Sequence, residues 1–271
     1  MDFAAPIVDT HTHTNHSDGK ASLLENARAA VAAGCAIMCA TDHLTIPDGI
    51  NDDAVGVEEA DLPAVARDVA EARELVPELE LVFGWECDWY EGCEEHVPRY
   101  SEGTTFRLGS VHMIDTKPID WDGDLRIYEE LGANGMWRAY AEAWCRACES
   151  PLAFDTMAHP DLAMRFAREG WHVTCDLTDV FREMAACARD TGRRVEVSTA
   201  GLRKGVGTYY PNHELLVLFR EAGVPITVGS DAHSPADVAD NIDGAYAYAW
   251  SAGYRSIECP RADGDWTTFE L

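Results

Sequence analysis

Lysine is the scarcest charged residue in this chain: Lys20, Lys117 and Lys204 are the only three, and 21 basic residues in all face 48 acidic ones, for a formal net charge of -27 over 271 residues. Such a surface repels a polyphosphate backbone, so extended nucleic acid is not an expected partner. A small anionic substrate remains admissible, because bound divalent ions reverse the local sign inside a pocket. No stretch approaches the roughly 18 uninterrupted apolar residues of a membrane span. The first residues carry no basic region followed by an apolar run, so no secretory leader is expected and the cytoplasm is the expected compartment. Nine cysteines are present, but most lie in apolar patterns where a thiol packs as a small hydrophobe, which argues against a disulfide scaffold. The one CxxC, Cys145 to Cys148, falls inside a helical pattern and reads as packing.

Hydrophobic residues make up 46% of the chain, enough for a sizeable core, and no interdomain linker or internal repeat interrupts it. One α/β domain over residues 1–271 is therefore expected. Seven apolar runs read as strands: Ile7 to His13, Ala36 to His43, Leu79 to Trp89, Phe106 to Asp115, Phe154 to His159, Arg194 to Thr199 and Pro225 to His233. Between them lie amphipathic segments at helical spacing. Leu62, Val65, Ala66, Val69 and Leu75 share one helix face, and Leu215, Leu216, Leu218 and Phe219 supply another. Gly34, Gly170, Gly192 and Gly223 follow helical patterns as C-terminal caps do. No Gly-rich phosphate loop follows the first run, so seven βα units predict a distorted (β/α)7 TIM-like barrel, with an open doubly wound sheet as the alternative. Pro47 to Glu59 reads as a polar surface loop. Glu91 to Gly103 lacks an apolar helical signal and reads as an irregular, lid-like segment that could shape specificity.

The histidines fall at one kind of place. His11 and His13 end the first run, His43 the second and His159 the fifth; His112 lies in the fourth, and His233 ends the seventh. In a βα barrel the C-terminal strand ends converge on one mouth, so these distant residues can serve one site. His11 and His13, two apart, point to the same side of an extended strand. Asp18, Glu86 and Asp231 add hard oxygen donors beside the same mouth. Nine ligands (His11, His13, Asp18, His43, Glu86, His112, His159, Asp231 and His233) are too many for one ion. Two or three divalent ions sharing a bridging carboxylate account for them. The mixed nitrogen and oxygen set favours zinc, manganese or iron over calcium. A hydroxide on these ions is the expected nucleophile, and the same ions would neutralise phosphoryl oxygens in line with it. His11, His13, Glu86, Asp231 and His233 are read as the catalytic set, with Asp231 or His233 as candidates for moving a proton. Asp9 and Asp42, next to ligands, either orient imidazoles or hold turns. His16 reads as an exposed loop residue, and His172 and His213 as structural or solvent-facing.

The string Asp9-Thr10-His11-Thr12-His13 with Ser17-Asp18-Gly19, then Thr41-Asp42-His43, Gly84-Trp85-Glu86, Gly109-Ser110-Val111-His112, Ala158-His159-Pro160 and Ser230-Asp231-Ala232-His233, strongly resembles the polymerase-and-histidinol-phosphatase (PHP) family. The resemblance runs from Ile7 to about Asp240 with the motifs in family order. Leu108 to His112 with Ile114-Asp115, and Thr199 to Lys204 leading to Tyr210-Pro211, are similar to the histidinol phosphatase branch. The resemblance implies a seven-stranded barrel with three metal ions: one held by His11, His13, Glu86 and Asp231, a second by Glu86, His112 and His159, and a third by Asp18, His43 and His233. It also implies a phosphate pocket completed by Arg165 and Arg203, a role suited to guanidinium forks, with Lys204, Arg168 and Tyr210 as weaker candidates. The implied reaction is hydrolysis of L-histidinol phosphate to histidinol and phosphate. That branch often carries asparagine before its Thr-x-Gly segment, where this chain reads Glu196-Val197-Ser198-Thr199.

Three other functions compete. A broader PHP phosphoesterase would use the same ions on nucleotide or other small esters, and aromatics facing the mouth, drawn from Trp85, Trp89, Tyr90, Tyr209 and Tyr210, would favour it. A noncatalytic metal-stabilised interaction module predicts lost ligands, yet all nine positions are filled. A barrel hydrolysing carbon-nitrogen bonds would be expected to place a ligating lysine on a strand, and none lies there. The sequence leaves oligomeric state open. Tyr246, Tyr248, Trp250 and Tyr254 are compatible with either barrel packing or an interface.

Overall fold

The computed structural model describes residues 3–45 and 55–271. Seven strands, β1 (Ile7–Asp9), β2 (Cys35–Ala40), β3 (Glu80–Asp88), β4 (Phe106–Ser110), β5 (Thr156–Met157), β6 (Arg194–Ser198) and β7 (Ile226–Gly229), lie side by side in chain order. Every neighbouring pair along this path is parallel. The ends of the path also meet: the Thr10 amide donates to the Val228 carbonyl at 3.1 Å and the His13 amide to the Ala232 carbonyl at 2.8 Å. The sheet is thus a nearly closed barrel, and the open doubly wound alternative is set aside.

Buried strands of a closed barrel read as apolar runs because both faces are covered, and β2 and β3 are buried almost throughout. The helices Leu23–Ala32, Leu62–Leu75, Arg126–Glu149, Thr178–Thr191, His213–Ala222 and Ile242–Ser251 surround the sheet. Leu23–Ala32 opens on a capping box in which Ser22 and Glu25 each satisfy the other's backbone amide. Gly192 and Gly223 end their helices in the left-handed conformation, as expected of C-terminal glycines, whereas Gly170 closes only a short 3-10 turn. Among the described residues no helix is long and apolar enough to cross a membrane.

Several boundaries differ from the sequence reading. The helix 62–75 buries Val65, Val69 and Ala72, at spacings of four and three, and the stripe continues to Val76, so Leu75 is left 51% exposed. The run through Asp115 is not one strand: β4 stops at Ser110, and Met113–Ile114 pairs back on Lys117–Pro118. Asp115 and Thr116 both take positive φ, 48° and 68°, the backbone of a tight two-residue hairpin. Glu91 to Gly103 contains a 3-10 turn, Cys93–Glu95, and a short helix, Val97–Tyr100; Cys93 and Val97 anchor these into the core. Residues 47–54 of the expected surface loop lie outside the described residues.

A second hairpin, Ser256–Pro260 with Trp266–Glu270, had no sequence signal distinct enough to separate it from a loop. Its Arg261 grips Glu80, at the start of β3, with contacts of 2.8 and 2.5 Å, and Arg194, at the start of β6, stacks 3.5 Å over the Trp266 ring. The hairpin therefore covers the N-terminal end of the barrel, leaving the C-terminal end as the mouth. Tyr246 is fully buried and donates to the Pro6 carbonyl, and Tyr254 donates to that of Val224, so both pack the barrel.

Candidate metal centre

All nine expected ligands gather at the mouth. Glu86 stands at their centre: its Oε2 lies 3.2 Å from His11 Nε2, 3.4 Å from His13 Nε2 and 3.2 Å from His43 Nδ1, while its Oε1 lies 3.0 Å from His159 Nε2 and 3.7 Å from His112 Nε2. The backbone explains the convergence. His43–Leu44 pairs in parallel with Glu86–Cys87, which sets His43 beside Glu86. His13 is brought to Asp231, 3.3 Å away, by the barrel-closing bond between their segments. Asp18 reaches His233 at 2.9 Å, His13 at 3.7 Å and His43 at 3.9 Å.

Three sets of donors are close enough to hold an ion: His13, Asp18, His43 and His233; His43, Glu86, Asp88 and His112; and His11, His13 and Asp231. The chemistry of the set fits divalent metals. A buried imidazole nitrogen that faces Asp18 at 3.7 Å, His13 Nδ1, has no hydrogen-bond partner, an expense that ligation removes. His159 and Asp231 also hold positive φ, 23° and 54°, outside the usual range for such residues and typical of backbone constrained at functional sites.

Two carboxylates escaped the sequence reading. Asp88, two residues beyond Glu86 on the same face of β3, accepts from His112 Nδ1 at 2.6 Å, His43 Nδ1 at 3.2 Å and Ser110 Oγ at 2.9 Å, and is also bonded by Thr45. Its alternation with Glu86 was the available signal. Glu196, fully buried in β6, accepts from His11 Nδ1 and from the His159 backbone amide, each at 2.9 Å. It fixes the His11 ring so that Nε2 faces Glu86, as carboxylates behind ligating imidazoles do. The sequence shows Glu196 only as one of the polar residues that alternate with Val195 and Val197 in β6, and as part of the segment that departs from the branch's asparagine.

Room for Glu196 comes from Gly229, where an added Cβ would stand 2.3 Å from Glu196 Oε1 and 2.7 Å from His11 Cβ. Gly229→Ala is expected to cost about 1–3 kcal/mol of stability through overpacking, read as a fall in the thermal midpoint. An unchanged midpoint would mean that β6 and β7 separate freely there.

In the metal-free protein the charges are mutually sustaining. Burial pushes the Glu86 carboxyl up, but His11, His43 and His112 outweigh it and hold it well below the usual range. Burial disfavours the His112 imidazolium, yet Glu86 and Asp88 push its pKa up to about 9. His11 is raised against burial by Glu196 and Glu86, and His43 by Asp88 and Glu86. His13 goes the other way, down to about 4, through burial and the neighbouring His233 and His43.

The remaining candidates are placed as follows. Asp9 and Asp42 hold backbone and turns: Asp9 accepts from the Ser230 amide at 2.7 Å and hydroxyl at 2.5 Å, and Asp42 from Thr14 and Ser17. His16 is half-buried rather than exposed, because its Nε2 meets Asp68 of the helix 62–75 at 2.8 Å. His172 is exposed, and His213 bonds Ser251. Arg203 bonds Thr199, Asp240 and the Ser230 and Asp231 carbonyls, and Arg165 pairs with Glu169 over the Phe166 ring. Neither arginine lines the mouth cavity of about 870 Å³, whereas Lys204, Trp89 and Tyr90 do; Trp85 and Tyr210 are core.

Residues 9–200 match the PHP domain family. A probable histidinol-phosphatase from Deinococcus radiodurans is 29% identical over 257 residues, covering 93% of this chain and 95% of the relative. One from Thermotoga maritima is 25% identical over 239 residues, covering 88% of each. A histidinol phosphate phosphatase from Lactococcus lactis, solved with zinc, L-histidinol and phosphate, has the same fold at a TM-score of 0.78 and 18% identity, covering 97% of this chain and 99% of that one. The chain belongs to the PHP domain family and is a metal-dependent phosphoesterase.

Proposed function

We propose that this phosphoesterase removes phosphate from a small monoester, L-histidinol phosphate, within one domain over residues 1–271. The observation that carries the reading is the cavity itself. The candidate ligands Asp18, His43, Glu86, His112, Asp231 and His233 line it beside Trp121 and the carboxylate of Asp120. A compact phosphate ester bearing a cationic, aromatic body suits both ends of that space, and the names of the Deinococcus and Thermotoga relatives point to the same substrate.

The residues that would hold two or three zinc, manganese or iron ions are His11, His13, Asp18, His43, Glu86, His112, His159, Asp231 and His233. When bound, such ions supply Lewis-acid charge for the phosphoryl oxygens and water activated near neutral pH. Glu86 and the imidazoles around it, at the cavity wall, would hold those ions where the substrate enters. Glu196 and Asp88 keep the imidazoles from rotating away. Asp231 or His233, both on the cavity wall, would move the proton that the departing alkoxide needs, whichever of them is not engaged by an ion.

Phosphate release by metal-reconstituted protein from L-histidinol phosphate, beside nucleotide and sugar phosphates, tests this, with His11→Ala as control. The expected preference is about a hundredfold in kcat/KM, or about 2.7 kcal/mol. Faster turnover of another ester would assign a different substrate. Trp89 and Tyr90 in the cavity wall make nucleotides the second reading. No turnover of any ester at full metal occupancy would overturn both.

A further inference from the structure

We propose that Lys204 binds the phosphoryl group of the substrate, and the inorganic phosphate left after hydrolysis, through its ammonium group. The proposal rests on the phosphomonoesterase reading above and assigns a cation that reading left unplaced.

Among the described residues that line the cavity, the lysine and arginine side chains are Lys204 and Arg126. Arg126 is committed: its Nε lies 2.9 and 3.0 Å from the two oxygens of Asp124, and a terminal nitrogen lies 2.5 Å from the same carboxylate. Lys204 is differently placed. Its Nζ donates to Asp231 Oδ2 at 2.7 Å, while the other oxygen of Asp231 faces His13 Nε2 at 3.3 Å. One carboxylate therefore separates the ammonium from the candidate metal ligands. An ammonium has three N–H donors, and Asp231 is the one partner Lys204 has among the described residues. Two donors are left on the cavity side, where a phosphate dianion beside the metal ligands would present its oxygens.

The arginines implied by family resemblance are engaged elsewhere. Arg203 clasps the segment after β7 through the Ser230 carbonyl at 2.5 Å, and it meets Asp237 at 3.4 Å and Asp240 at 3.3 Å. It acts as a brace for the loop carrying Asp231. Lys204 follows it directly, and the bond from its own amide to the Ala200 carbonyl, 2.8 Å, fixes where its side chain leaves the backbone. In a chain of net charge -27, a cation held this close to the centre offsets the repulsion an entering phosphate meets.

Titration of inorganic phosphate into the metal-loaded full chain, compared with Lys204→Met and Lys204→Arg at measured metal content, tests the assignment. Lys204→Met is expected to weaken phosphate binding about tenfold or more, with metal content unchanged, and Lys204→Arg to restore it to within about threefold. Unchanged phosphate affinity in Lys204→Met overturns the proposal. So does a loss that merely tracks lost metal, since that would make Lys204 a support for Asp231. Phosphate binding is read without turnover. If no ester is hydrolysed yet binding still depends on Lys204, the substrate reading falls and this one stands.

Discussion

Glu86→Gln is expected to lower phosphate release at least about a thousandfold, which corresponds to about 4 kcal/mol of transition-state stabilisation, and to leave the protein deficient in metal. The substitution keeps the shape of a side chain that is 1% exposed, so packing changes little. What it removes is a charge that faces five imidazoles, His11, His13, His43, His112 and His159, within 3.0 to 3.7 Å. A neutral amide would hold a divalent ion less strongly, and its NH2 group would point a donor where a carboxylate oxygen now faces the imidazoles. Metal content by elemental analysis and kcat on the best ester should fall together. Full metal content with activity within about tenfold of the parent would show that Glu86 is not the hub of the centre.

The second large effect is a divergence with pH. In the metal-free protein His112 has a folded-state pKa raised to about 9, above the roughly 6.5 of an unfolded histidine. Its contribution to stability is therefore complete below about pH 6.5 and is lost as pH rises through about 9. His11 and His43 are raised as well and act in the same direction. Metal binding has the opposite dependence, because an imidazole must give up its proton to ligate. The thermal midpoint of chelator-treated protein should fall from pH 6.5 to 9, while the increase on adding zinc or manganese should grow over the same interval. At a hundredfold excess over Kd the ion adds about 2.7 kcal/mol, or about 5 °C for a chain of this length. A metal-induced increase that shrank with rising pH would contradict ligation by these histidines.

The barrel was legible in the sequence because its strands recur as short, largely apolar runs, and all but β6 carry a candidate ligand at or near the C-terminal end, from Val8 before His11 to Val228 before Asp231. The candidate ligands were legible because histidines and carboxylates do not fit the apolar pattern around them. What stayed hidden depends on tertiary partners. Asp88 has the same sequence context as a turn acid, and only the register of β3 against His43 and the approach of His112 show whom it faces. Glu196 sits between valines, where its cost is recovered by His11 and His159, which lie just beyond the ends of β1 and β5. Leu75 was misassigned because Leu75 and Val76 are both apolar and helix phase alone separates them. The hairpin at Asp115-Thr116 is set by two left-handed residues that, unlike glycine, do not announce themselves.

The clasp between Asp9 and Ser230 spans 221 positions of the chain, and the centre it helps shape draws donors from both ends of that span. During synthesis His11 and His13 emerge before Asp231 and His233 and must remain without them until the segment after β7 has been made. A partly synthesised chain can thus offer a metal only a fragment of the coordination set. The complete set of donors exists only once the two ends of the barrel have met.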